Sequence, residues 1–178
     1  MKWVTRSHVH VDRVACPWLI QRFIDTEAEF KFVQWPGPAL KEEYGTPFDF
    51  PDLNIPFTHH DGKCTFEVLL EHYNIENPIL HSLASIIHGA DVAKDIDLVP
   101  ESRGVELTLS GLVHLCNNDY EAIEFGFSIL DSTYIGLLLR TIRHEYESEI
   151  SKMTREDAFQ FLKKQVHVRL PKSIKAGE

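Results

Sequence analysis

The sequence predicts an α+β fold that is mostly helical, with a small N-terminal strand-and-helix unit packed on a multi-helix body. Three observations lead there. Short alternating segments that read as strands are confined to the first fifty residues. Prolines at 47, 51 and 56 forbid a regular helix across 46–57. From residue 65 onward, apolar residues recur at helical spacing.

KWVTR (2–6) reads as a short strand, and SHVHVD either extends it or turns the chain. CPWLIQRFID (16–25) is expected to be a helix with Pro17 in the first position, where its missing N–H costs nothing. Cys16 would be the N-cap, with Trp18, Leu19, Ile20 and Phe23 facing the core. EFKFVQW (29–35) alternates as a second strand. PGPALKEEYG (36–45) is a short helix or loop bounded by Pro and Gly, and 46–57 is an ordered loop with room for a short strand at 48–50. TFEVLLEHY (65–73) places Phe66, Leu69, Leu70 and Tyr73 on one side. In NPILHSLASIIHGADVAK (77–94), Ile79, Leu80, Leu83, Ile86, Ile87 and Ala90 share one arc of a helix. DIDLVPESRG reads as a loop, 105–116 as a helix, and 118–150 as one long helix or two. TREDAFQFLKKQV (154–166) is a last helix with Thr154 as N-cap and acids in its first turn.

The 178 residues suit one domain over 1–150, followed by a C-terminal helix and basic tail over 151–178. Hydrophobic residues make up 43%, including 11 Phe and 3 Trp, enough for a core without staples. No apolar stretch is expected to span a bilayer and no secretory signal is visible, so no membrane partner is expected. Three separated cysteines (Cys16, Cys64, Cys116) read as reduced thiols of a cytoplasmic protein. A net charge of −9 argues against a nucleic-acid footprint. Residues 152–178 carry seven Lys or Arg against three acids, so residues 1–151 carry −13. The tail is expected to be solvated, with docking on its own acidic body or on a partner subunit as the alternatives.

FTHHDGKCTFEVLLEHY (57–73) holds the densest chemistry. His59, Cys64 and Glu67 can each ligate a divalent metal, and His60 and Asp61 lie beside them. Imidazole with thiolate suits zinc, and imidazole with carboxylates suits iron, manganese or zinc. The same residues also read as a polar turn followed by a helix cap. Asp91 lies about 20° outside the apolar arc of its helix at 100° per residue. A half-buried carboxylate there needs a cation, a hydrogen-bond cluster or a metal. His88 points further toward solvent. Asp131 is placed like Asp91 on the long helix, and a salt bridge to Arg13, Arg22 or Arg140 is the alternative for both. Cys16 at a helix start, near Arg13, would have its thiolate favoured, which makes Cys16 with Cys64 a redox candidate pair. RHEYE lacks the second histidine of HExxH, and no phosphate-binding or serine-nucleophile motif occurs.

WVTR, VDRVACPWLIQRFID, EFKFV, PFDF, THHDGKCTFEVLLEHY, IIHGAD and DSTY, in that order over roughly 2–140, resemble the C-terminal domain of the ChrB chromate-resistance family. The resemblance covers Asp12, Arg13, Cys16, Arg22, Asp25, Asp49, His59, Cys64, Glu67 and Asp91. It implies a stress response: chromate resistance or sensing beside an efflux transporter. Longer members have an N-terminal half that contacts DNA, so a stand-alone version of the shared domain is expected here.

The expectation is therefore a domain holding one divalent metal (zinc, iron or manganese). His59, Glu67 and Asp91 would be ligands, completed by Cys64 or Asp131. Arg13 and Arg22, with Asp12 and Asp49, would orient ligands or bind an oxyanion such as chromate. Whether such a site turns over a substrate stays open. A non-catalytic oxyanion sensor, signalling through a homo-oligomer, and a thiol-redox protein are the alternatives.

Overall fold

A computed structural model describes residues 1–51 and 53–174. The elements run β1 (Lys2–Arg6), α1 (Val11–Leu19), a π turn (Ile20–Ile24), β2 (Glu29–Val33), β3 (Thr46–Pro47), α2 (Thr65–His72), α3 (Pro78–Asp91), α4 (Glu101–Leu115), α5 (Asp119–Glu145), α6 (Glu147–Ile150) and α7 (Arg155–Arg169). The three strands form a parallel sheet in the order β2-β1-β3. Trp3 on central β1 pairs with Phe30 on one side and Thr46 on the other. The fold is α+β and mostly helical, as the apolar spacing predicts. The short strand falls at 46–47 rather than at 48–50.

The first helix departs from expectation. It begins at Val11, five residues before the apparent Cys16-Pro17 start, and Pro17 lies inside it. Val11, Val14, Ala15, Trp18 and Leu19 are all buried, the i, i+3, i+4, i+7, i+8 spacing of one helical face. That buried stripe outweighs the loss of one backbone bond at Pro17. The helix then widens, and the π turn closes where the Asp25 N–H donates to the Ile20 carbonyl at 2.7 Å. Cys16 is consequently mid-helix and fully buried, not an N-cap. Burial pushes its thiol well up, with the Asp12 and Asp49 charges adding to the rise. The premise for a reactive Cys16 thiolate is thereby removed.

α1 lies against α5, where Gly126 leaves room for the Val14 side chain; a Cβ there would overlap it. Trp18 packs among Phe23, Phe66 and Tyr134, with ring centroids 5.5, 6.5 and 6.1 Å away. α5 is long and apolar enough to cross a membrane by length and composition, which corrects the expectation that no stretch reaches that length. Its buried face, including Phe127, Leu130, Tyr134, Leu138 and Ile142, serves as the core wall for α1, α3 and α4. α4 also starts earlier than expected, at Glu101, and Ser102 donates to the Ile86 carbonyl of α3 at 3.1 Å. The long helical stretch expected at 118–150 divides at Tyr146 into α5 and α6.

The basic tail does not float. α7 packs on α5, the Ser173 hydroxyl donates to the Arg22 carbonyl at 2.5 Å, and Ile174 is buried. The remainder of the tail, 175–178, lies outside the described residues.

Candidate metal centre

The fold brings two helix N-termini and two loops to one point. Asp12 is the second residue of α1, and its N–H donates to Asp91 Oδ1 at 3.1 Å. Asp91, the last residue of α3, thus sits at the positive end of α1. Asp12 does the same for α2: its Oδ2 accepts from the Thr65 N–H, the first residue of α2, at 2.6 Å. Each carboxylate is held by the other's neighbourhood, so neither can move without exposing amides.

Asp49 joins them from the proline-rich loop. It has φ of +54°, a conformation that Asp tolerates better than most residues. The loop around it is over-determined. The Asp49 N–H donates to the Phe57 carbonyl at 2.8 Å, and Arg6 Nε donates to the Asp49 carbonyl at 2.8 Å. Arg6 and Arg13 donate to Asp49 Oδ2 at 3.0 and 2.8 Å, and the Thr65 hydroxyl donates to Oδ1 at 3.1 Å. Backbone in this region persists where its surroundings enforce it, often at functional sites.

His59 closes the cluster. Its Nε2 lies 3.1 Å from Asp12 Oδ2, 3.2 Å from Asp91 Oδ2 and 3.7 Å from Asp49 Oδ1. One donor atom each from Asp12, Asp49 and His59 falls within 4.8 Å of the others. The Asp12 carboxylate is 1% exposed, whereas the imidazole is 40% exposed. The second Asp12 oxygen is buried and has no hydrogen-bond partner among the described residues. His10 stands behind Asp91, with Nδ1 3.7 Å from Oδ1, and lines a cleft of about 430 Å³ with His8, His114 and Asn118.

These contacts set the protonation states. Burial pushes Asp12 up to about 6; the His59 hydrogen bond opposes that, and the Asp91 and Asp49 charges add to it. Hydrogen bonds to Asp12 and then Asp91 raise His59 to about 10, against its partial burial. Burial pushes Asp91 up too, but hydrogen bonds from His10, His59 and the Asp12 N–H together hold it below its ordinary range. His59 is raised above its ordinary 6.5, so its stabilising contribution is complete below that value and is lost as pH climbs through about 10. Asp12, raised above 3.8, contributes below 3.8 and loses that as pH passes about 6. Asp91, lowered, contributes above 3.8 and loses it in acid. Metal-free protein should therefore lose thermal stability from pH 7 to 10, and His59→Gln should flatten that decline. Melting temperatures of both proteins across that range check it; parallel curves would contradict it.

The expected ligand set is divided by the structure. His59 and Asp91 come together, but Glu67 does not join them. Glu67 Oε2 accepts from the Cys64 N–H at 2.9 Å, closing a capping box on α2, and lies 2.6 Å from His88 Nδ1. Cys64 is the N-cap of α2 and is buried; burial raises its thiol strongly. Asp131 is elsewhere again. It accepts from Trp18 Nε1 at 2.7 Å and takes a two-pronged pair from Arg22 at 3.1 and 2.9 Å, the salt-bridge alternative. Arg13 and Arg22 thus spend their guanidinium groups on Asp49 and Asp131. His60 stays at the surface beside Asp61. Asp12 and Asp49, expected in supporting roles, supply two of the three grouped donor atoms. His88, expected toward solvent, is buried.

Comparison with known proteins places the chain. The family model for the ChrB C-terminal domain matches residues 3–136. Protein ChrB of Cupriavidus metallidurans is 38% identical over 135 residues, which is 75% of this chain. The chain spans 40% of that relative's length. No solved structure matches. The match runs from β1 through most of α5 and takes in every residue of the acidic cluster, and on it the chain belongs to the ChrB C-terminal-domain family.

Proposed function

We propose that this domain binds one divalent cation at Asp12, Asp49, His59 and Asp91, and that it serves chromate resistance through that site. One observation carries the reading. A single imidazole nitrogen faces three carboxylates drawn from α1, α3 and an over-determined loop, and a buried Asp12 oxygen beside it lacks a partner. Buried polar atoms are nearly always satisfied, so an orphan here asks for a ligand. Three carboxylates and one imidazole without a thiolate favour manganese or iron(II) over zinc. A bound ion of this class supplies Lewis acidity or an activated water.

Protonated His59 occupies the position of the cation when no metal is bound. Binding then expels its proton, so the affinity rises with pH. The oxyanion-sensor reading draws less support, because chromate would have to displace Asp49 from Arg13 or Asp131 from Arg22. The thiol-redox reading loses its exposed thiol at Cys16.

Element analysis of protein purified without chelator, followed by manganese titration of the chelated form, tests the proposal. Titration should show about one equivalent of manganese per chain at this cluster, and His59→Ala should weaken it by at least about a hundredfold, the most that loss of even an outer partner of a ligand costs. Wild-type protein that takes up neither manganese nor iron(II), or whose uptake is unchanged by His59→Ala, would overturn it.

A further inference from the structure

A second constellation, with different residues, neighbours the acidic cluster across Thr65 and the last turn of α3. Cys64, Glu67 and His88 each present a donor atom within 4.8 Å of the other two. We propose that these three residues form a separate, thiolate-containing site for a zinc-class dication, with Asp95 as the residue that orients His88.

His88 has a carboxylate against each ring nitrogen. Its Nδ1 points at Glu67 Oε2, 2.6 Å away, on the side where Cys64 lies. Its other nitrogen, Nε2, lies 3.1 Å from Asp95 Oδ2 in the turn after α3. A metal-binding imidazole commonly donates its far N–H to a carboxylate, which fixes the tautomer and turns the near lone pair toward the ion. Asp95 occupies that far position. The donor types agree with the assignment: one sulfur, one imidazole nitrogen and one carboxylate suit zinc, which takes three protein ligands and an open fourth position at reactive sites. This set differs in kind from the acidic cluster, where no sulfur takes part.

Access is provided on one side. Glu67 lines an open groove of about 560 Å³ together with Lys63, Glu71, His81 and Ser85. Cys64 is buried behind it, and the His88 ring is 10% exposed. An ion arriving through the groove meets Glu67 first. The dication replaces the thiol proton of Cys64 and the proton shared by His88 and Glu67, and both protons leave to solvent. No oxidation or reduction is involved. The position also links α2, α3 and the following turn, so occupancy would tie those elements together.

Cobalt(II) titration of the full chain, metal-free and kept reduced, tests this. The expected result is a sulfur-to-cobalt charge-transfer band in the near ultraviolet. It should vanish in Cys64→Ser and persist in Cys16→Ser and Cys116→Ser. His88→Gln should weaken cobalt binding at this band, and Asp95→Asn should weaken it about 10- to 100-fold. The band should also survive in His59→Ala, which removes the other site. Wild-type protein that shows the band but takes up no manganese would defeat only the acidic-cluster reading. No band in wild type, or a band that survives Cys64→Ser, would overturn the thiolate site. If Cys64→Ser proves unfolded by circular dichroism, His88→Gln decides: unchanged cobalt affinity there overturns it.

Discussion

Asp12→Ala is expected to cost about 2–4 kcal/mol of folding free energy, from an unsatisfied buried amide and the loss of charge-assisted hydrogen bonds. The reason is positional. Asp12 is 1% exposed, accepts from the first amide of α2 at 2.6 Å and faces the His59 imidazole at 3.1 Å. Alanine leaves a buried N–H without an acceptor and strips the closest counter-charge from His59. At this chain length the loss corresponds to a fall in melting temperature of roughly 4–16 °C. Asp12→Asn should behave differently. It keeps an oxygen for Thr65 and relieves the repulsion that Asp91 and Asp49 exert on Asp12. Its stability loss should stay below about 2 kcal/mol. Cation binding should nevertheless fall, since an amide oxygen is a poorer ligand than a carboxylate. Calorimetric melting of both variants, paired with manganese titration, separates the two effects. An Asp12→Ala protein as stable as wild type would remove the residue from the centre of the fold.

Asp131→Ala is expected to cost about 2–4 kcal/mol while leaving cation content unchanged, from the loss of charge-assisted hydrogen bonds. Asp131 accepts from Trp18 Nε1 at 2.7 Å and pairs with Arg22 through two nitrogens. Trp18 is fully buried between α1 and α5, so its indole N–H has no route to water. Asp131→Asn should recover part of the loss, because Asn can still offer an oxygen to the indole. The readout that distinguishes anchoring from ligation is the metal itself. Cation content falling with melting temperature unchanged would return Asp131 to the list of ligands.

Much of the helical body was legible in the sequence. α3 announces itself through Leu80, Leu83, Ile87 and Ala90; the structure adds an Asn77 cap, whose side chain accepts from the Ile79 and Leu80 N–H groups. Thr154 caps α7 as expected. α1 was misjudged at its start because a Cys-Pro pair mimics the beginning of a helix. The apolar series from Val11 to Leu19 was the stronger signal, and it outranks a single proline. That error hid the role of Asp12, which reads as a turn residue if the helix begins at 16 and as a helix-start carboxylate if it begins at 11.

The candidate centre was legible only in part. His59 and Asp91 stood out because each sits where a polar group needs an explanation. Their meeting with Asp12 could not be seen, since those contacts cross 47 and 79 positions and leave no local period. Glu67 was misplaced for a related reason. Its spacing from Cys64 fits both ligation and capping, and nothing local shows that Glu67 turns toward His88 rather than toward His59. His88 lies at the end of α3, where α2 and the turn to Asp95 cover it, so its helical angle alone pointed the wrong way.

The lopsided exposure of the acidic cluster has a kinetic consequence. Asp91 and Asp12 accept from backbone amides and the Asp49 carboxylate from Arg6, Arg13 and the Thr65 hydroxyl, but the fourth wall is a part-exposed ring on a loop. Traffic in and out of the centre would therefore be governed by the swing of one side chain. On the cation-binding proposal, exchange need not wait for the protein to come apart, and residue 59 would serve as the latch.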